Sequence, residues 1–265
     1  MNAAQRTAEL EQAADLLCRA RLNAAPIASL PDPLQPVDID ESYRLQMLLN
    51  RKLAAQFGEP IGFKIGCTTE VMQQYLGISH PCKGVIFRST LHRNHASFRA
   101  SDLCRPGVEC EIAVQLSNDM TAERDYTADN CDAFVGAVMC AIELVDDRWI
   151  NYSEVTTPTL LAENFFGAGC VTGTPLDISG AELASLEGRM RVNGDEIGSG
   201  SAADILGHPY QALAWLANHQ AERGTPLKQG DIISLGSVVQ THWLAPGDEV
   251  EIEFSRLGRC SLKLA

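Results

Sequence analysis

The spacing of apolar residues changes character near residue 59. Residues 4 to 22 set Leu10, Ala13, Leu17 and Ala20 on one stripe of an amphipathic helix. Asn23 to Pro36 carries four prolines and reads as a connection. Asp38-Ile39-Asp40-Glu41 has the form of a capping box, and Tyr43, Met47, Leu48 and Leu53 continue a helical stripe towards Gly58. Residues 1–58 are therefore expected to form a helical N-terminal region, and residues 59–265 a β-rich catalytic domain.

Beyond that point the period is two. Ile61, Phe63 and Ile65 alternate with Gly62, Lys64 and Gly66, as in a strand. Thr69 to Leu76 predicts a short helix, Gly77 to Gly84 a loop, and Val85 to Phe87 a short strand. Val108, Cys110, Ile112 and Val114 alternate with Glu109, Glu111, Ala113 and Gln115, and Gly136 to Val145 is an apolar run. Trp149 to Phe166 is polar and then helical in texture, suiting a lid or linker. Asn193-Gly194 predicts a type I′ hairpin, and Gly207-His208-Pro209 opens a helix in which His208 and His219 read as structural. Asp231 to Ser237 and Gly247 to Phe254 complete the strands.

Charge and cysteine usage narrow the function classes. The net charge of −13 argues against nucleic acid or an anionic membrane as partner. The nine cysteines contain no Cys-x-x-Cys, which favours reduced thiols in a cytoplasm over disulfides or a zinc site. No run of about 18 apolar residues occurs, and Glu9 and Glu11 come early, so neither a membrane span nor a signal peptide is expected.

Four charged positions carry the candidate chemistry. Glu109 and Glu111 share a strand face with roots about 7 Å apart, close enough to converge on one hard cation, although a solvated strand face has the same spacing. Glu143 is the one charge within its apolar run, where an isolated carboxylate is costly unless protonated, metal-bound or paired with Arg148 or another arginine. Lys64 between two glycines leaves space for a ligand, or is an edge-strand lysine. An oxygen-only anionic pocket suits Mg²⁺ or Mn²⁺ rather than zinc or copper. Gly236 and Ser237 end a strand with donors suited to a carboxylate. Glu251 and Glu253 repeat the Glu-x-Glu spacing without such company and read as solvent-facing.

The ordered set Gly62-Phe63-Lys64-Ile65-Gly66-Cys67-Thr68, Glu109-Cys110-Glu111, Ala141-Ile142-Glu143-Leu144-Val145, Leu206-Gly207-His208-Pro209 and Leu227-Lys228-Gln229-Gly230-Asp231 resembles one family. It is the 2-oxopent-4-enoate hydratase and 4-oxalocrotonate decarboxylase group of the fumarylacetoacetate hydrolase superfamily. The resemblance implies an α+β fold, in which a small helical N-terminal unit precedes a mixed, mostly β rolled-sheet core. It implies Mg²⁺ on Glu109, Glu111 and Glu143, Lys64 as general acid/base, a small 2-oxo or 2-hydroxydienoic acid substrate, and a homo-oligomer. It implies a hydratase of aromatic catabolism; a 2-oxo acid decarboxylase, an acylpyruvate-type hydrolase or tautomerase, and a binding protein of reduced activity are the alternatives. Two positions depart from the family pattern. Pro81-Cys82 stands where hydratases carry Pro-Asp, and Phe166 stands where a serine is expected near the substrate. His80, Cys82 and Lys83 are the candidates to replace the missing acid/base group, with a plain loop position as the alternative for each.

Overall fold

The computed structural model describes residues 3–123 and 125–265. The helices are α1 (Ala3–Leu22), α2 (Ile39–Phe57), α3 (Glu70–Leu76), α4 (Ala128–Cys131), α5 (Thr157–Ala162), α6 (Gly180–Leu183) and α7 (Pro209–Glu222). The strands are β1 (Pro60–Gly66), β2 (Cys82–Phe87), β3 (Leu91–Arg93), β4 (His95–Phe98), β5 (Pro106–Leu116), β6 (Val135–Asp146), β7 (Gly167–Thr172), β8 (Glu187–Val192), β9 (Asp195–Ser201), β10 (Ile232–Ser237), β11 (His242–Trp243), β12 (Glu249–Phe254) and β13 (Gly258–Leu264). The fold is α+β, with helices first and mixed sheets after, as expected. No described helix is long and apolar enough to cross a membrane.

The helices at the start of the chain form by local rules and are then fixed by packing. Asp38 caps α2 by accepting the Glu41 amide, while the Glu41 carboxylate turns back to Val37 N–H and to Arg6 of α1. Leu10, Ala13 and Leu17 of α1 meet Leu45, Leu49 and Leu53 of α2, and the same cluster takes in Phe87, Trp149 and Leu160. The buried row of α2 is thus the i, i+4, i+8 set from Leu45, and Met47, expected on the inner stripe, is 48% exposed.

One sheet runs β2-β1-β10-β5-β6-β7-β3, with β11 on the end of β5, and the second runs β4-β13-β12-β8-β9. Their inner faces meet in the main core. Val108, Cys110, Ile112 and Val114 of β5 and Ile142 and Leu144 of β6 pack with Met190, Val250, Ile252 and Leu262 of the second sheet. The period-two pattern of β5 therefore sends one face into the sandwich and the other, with Glu109 and Glu111, to the opposite side. The Asn193-Gly194 hairpin forms with both residues at positive φ, as a type I′ turn requires. β2 begins at Cys82, paired with Gly66, so the expected loop ends at Pro81 rather than at Gly84.

A buried glutamate cluster beside Lys64

Three carboxylates converge by strand geometry. Glu109 and Glu111 lie two apart on β5, and the register of β5 with β6 sets Glu143 directly opposite Glu109. Ligand oxygens of all three lie within 4.8 Å of one another. Glu111 and Glu143 are buried, at 0% and 2% exposure. β10 lies on the other side of β5 and supplies donors. Ser234 Oγ and Gly236 N–H both donate to Glu111 Oε2, the latter at 3.1 Å. Thr241 Oγ1 donates to Glu109 Oε1. The register of β10 against β5 shifts between Ser234 and Ser237, and this bulge aims the Gly236 amide at Glu111. Gly236 has φ +121°, and a Cβ there would stand 2.3 Å from Thr68 Oγ1, so both backbone and neighbour demand glycine.

Lys64 reaches the same point from β1. It is 4% exposed; Nζ donates to the Phe165 carbonyl at 2.8 Å and stands 3.0 Å from Glu143 Oε1 as an ion pair. Gly66 leaves the space above Nζ, whereas Gly62 serves the close approach of β10, where a Cβ would strike the Ile232 carbonyl. The carbonyl that holds Lys64 belongs to a strained turn. Asn164, Phe165 and Phe166 have φ of 65°, 47° and 64°, a region that costs non-glycine residues about 1–3 kcal/mol each. Side chains hold the turn in place. Glu163 Oε1 accepts Phe166 N–H, Asn164 accepts Val85 N–H and donates to Asn50, and Arg148 pairs with Glu163 and Asp146. Arg148 is thus spent on this turn, and the partner of Glu143 is Lys64.

The electrostatics follow from burial. Loss of water, then the charge of Glu143, pushes the Glu109 carboxyl up to about 7, against the pull of Lys64 and Thr241. The same two causes, with Glu109 added, push Glu111 well above the ordinary carboxylate range. Burial alone would drive the Lys64 ammonium to lose its proton, but Glu143, Cys82 and Glu109 outweigh it and hold its pKa above the usual lysine value.

Glu111 Oε1 and both oxygens of Glu143 have no aligned hydrogen-bond donor among the described residues. Buried carboxylate oxygens left in this state mark a place for a cation. The donor set is three carboxylates with no sulfur or imidazole, which fits a hard divalent ion. The expected metal residues therefore fit the group by geometry and by chemistry.

A cavity of about 950 Å³ opens over the cluster, lined by Lys64, Cys67, Glu109, Phe165, Phe166, Ser237 and Thr241 among others, with Tyr75 of α3 and Tyr152 at its rim. Trp149 to Phe166 contributes Tyr152, Leu160 and both phenylalanines to this wall, as suits a covering segment. Cys82 is fully buried beneath, 3.4 Å from Cys67 Sγ; the hydrogen bond from Cys67 lowers its pKa, burial opposes, and Lys64 adds to the lowering. His80 is not brought to the cavity. Its ring stacks on Trp215 and Nδ1 meets the Pro81 carbonyl. Gly236 and Ser237 are at the site, but the Gly236 amide is committed to Glu111, and the Ser237 hydroxyl, which lines the cavity, donates to the Val239 carbonyl at 2.6 Å and accepts the Cys110 amide. Sequence reasoning missed Ser234, Thr241, Cys67 and the Phe165 carbonyl. Ser234 alone carried a signal, as a polar residue inside Ile232-Ile233-Ser234-Leu235.

A helical start, a mixed-sheet core and a carboxylate cluster over an open cavity define the class. The chain belongs to the fumarylacetoacetate (FAA) hydrolase C-terminal family, whose model matches residues 87–265. It is 33% identical to 2-keto-4-pentenoate hydratase 1 of Dechloromonas aromatica (strain RCB), over 96% of this chain and 97% of that one. It is 30% identical to 2-hydroxyhexa-2,4-dienoate hydratase of Comamonas testosteroni, again over 96% and 97%. The fold matches that of 4-oxalocrotonate decarboxylase from Pseudomonas putida G7, complexed with magnesium and adipate, at a TM-score of 0.91 and 24% identity over 98% of each chain.

Proposed function

We propose that this protein is a divalent-metal-dependent hydro-lyase acting on a small 2-hydroxy-2,4-dienoic acid in aromatic catabolism, with Mg²⁺ or Mn²⁺ held by Glu109, Glu111 and Glu143. The observation that carries the reading is the convergence of three carboxylates, two of them buried with oxygens that no hydrogen-bond donor meets among the described residues, beside a buried lysine. Full-length similarity to proteins named as hydratases supports the substrate class. A divalent ion held by these three glutamates would supply Lewis-acid stabilisation of the negative charge that a 2-oxo acid develops.

The chain's own residues handle protons and position. Lys64 Nζ is kept charged by Glu143 and aimed by the Phe165 carbonyl, so it holds a proton at one point of the cavity. Delivery of that proton to the far end of a 2-hydroxydienoate, with the enol O–H proton lost in exchange, gives a 2-oxo-3-enoate. Water then adds at C4 and a proton at C3, and the product is a 4-hydroxy-2-oxo acid. Phe166 with Tyr152 forms an apolar wall that limits water, while the Ser237 hydroxyl at the cavity is held by the backbone of Cys110 and Val239. The reading extends to a division at residues 58 and 59, a reducing cytoplasmic compartment and a homo-oligomer; nine free thiols support the compartment.

A second reading, a 2-oxo acid decarboxylase, is favoured by one observation. Cys82 and Phe166 occupy the two positions where the resemblance expects proton-handling groups. Decarboxylation uses the same electron sink without activating water. Product analysis with 2-hydroxypenta-2,4-dienoate and with 4-oxalocrotonate separates the two. Hydration of the first supports the leading reading, CO₂ release from the second alone supports the other, and metal and oxalate binding with neither turnover leaves a binding protein. Among the described residues no histidine lines the cavity to activate water for a hydrolase.

A further inference from the structure

A second cavity, of about 560 Å³, lies on the other side of β2 among α2, β1 and α7. Successive residues of a strand point to opposite faces, so Cys82 faces the glutamate site and Lys83 faces this one. Lys83 is 8% exposed. Its Nζ donates to Gln46 Oε1 at 2.8 Å and lies 4.8 Å from the ring centre of Tyr43 and 5.9 Å from that of Phe63. No carboxylate stands within ion-pair distance of it among the described residues. An ammonium carries three N–H donors, and a neutral amide oxygen satisfies one. A buried cation in this state is costly unless an anion completes it.

The surroundings point the same way. Arg223 lies over the other part of the Tyr43 ring at 5.1 Å, and Arg44 and Arg51 stand at the mouth. Arg223 pairs with Asp40 at 3.1 Å and Arg44 with Glu41 at 3.5 Å, which leaves Lys83 as the buried cation of this wall with no acidic partner among the described residues. Tyr43 Oη, buried and approached by the Lys83 amide, has no aligned hydrogen-bond partner among the described residues. The rest of the wall is apolar, with Phe63, Val85 and Met47. Among the described residues no glycine lines it, so it lacks the backbone cradle that holds phosphate. The size suits one small molecule.

We propose that this cavity binds a small amphipathic carboxylate, its charged end on Lys83 and its hydrocarbon part on Phe63, Val85 and Met47. The site is separate from the glutamate cluster. It reaches that cluster through Gln46, which donates to the carbonyls of Lys83 and of Leu161, in the helix that leads into the turn bearing Phe165.

The test is calorimetric titration of the full chain in Mg²⁺ with hexanoate, and with hexanamide as its neutral counterpart. Saturable hexanoate binding is expected, weakened about tenfold or more in Lys83→Met and similarly weak for hexanamide with the wild type. Excess oxalate, which has no hydrocarbon part, is expected to leave hexanoate binding unchanged. Absence of saturable binding, equal affinity for acid and amide, equal affinity in a folded Lys83→Met, or displacement by oxalate would each overturn the proposal. The acid–amide comparison needs no variant and decides the matter if Lys83→Met fails to fold.

Discussion

Replacing Glu111 by glutamine is expected to make the metal-free protein more stable and to weaken metal binding. In Glu111 the charge is fully buried, and its oxygens share a volume with those of Glu109 and Glu143, all within 4.8 Å. At that separation and an effective dielectric of about 20, two unit charges repel by about 3.5 kcal/mol. Lys64, 3.0 Å from Glu143, offsets part of this. Glutamine keeps an oxygen for Ser234 and Gly236 and turns an amide towards the unpartnered oxygens, so the net gain is expected to be about 1–3 kcal/mol. The sign with pH follows from the raised carboxyl of Glu111. Its folded form favours the proton, so the wild type bears no penalty below the ordinary carboxylate value and a growing one as pH rises above it. Glu111→Gln should therefore match the wild type near about pH 4–5 and exceed it near about pH 8, by roughly 2–4 °C in Tm per kcal/mol. Thermal unfolding in a chelator at the two pH values measures this. Mg²⁺ at about 100 times its Kd should then raise the wild type by about 2.7 kcal/mol and the variant by far less. A variant no more stable than wild type at the higher pH, or one stabilised equally by Mg²⁺, would refute the reasoning.

Three further outcomes are expected. Lys64→Met should lower turnover by roughly 10²–10⁴-fold while calorimetry still detects Mg²⁺ binding, because the lysine moves a proton and the glutamates hold the ion. Mg²⁺ affinity should rise as pH increases through about 7, where the Glu109 carboxyl must release its proton before it can ligate; titrations at either side of that value check the direction. Arg148→Met should cost about 3–5 kcal/mol in urea unfolding, since Arg148 and Glu163 are 4% and 3% exposed and the carboxylate would be left buried and unpaired.

Much of this site was legible in the sequence because strands translate order into facing with little ambiguity. The alternation at Val108 to Gln115 gave Glu109 and Glu111 a common face, and the apolar run around Glu143 required a partner for that charge. What sequence could not supply was register. Only the pairing of β5 with β6 sets Glu143 opposite Glu109, and only the bulge in β10 turns the Gly236 amide to Glu111. Thr241 and the Phe165 carbonyl come from loops whose paths are fixed by tertiary contacts, and a carbonyl has no residue-type signature. The turn at 164–166 defied local propensity, because Phe165 and Phe166 adopt left-handed backbone under the hold of Glu163 and Asn164. His80 misled because closeness in sequence to Cys82 did not mean closeness to the cavity. Met47 misled because two helical stripes one residue apart fit the same composition.

The central claim is that the three glutamates, loaded with a divalent ion, turn a 2-hydroxydienoic acid into its hydrate. The direct test mixes the Mg²⁺-loaded protein with 2-hydroxypenta-2,4-dienoate and follows loss of the diene absorbance with product identification by NMR. A 4-hydroxy-2-oxo acid should form, formation should stop with chelator and return with Mg²⁺ or Mn²⁺, and Glu143→Gln should be inactive. Turnover indifferent to chelator, or no hydrate with either metal, would contradict it.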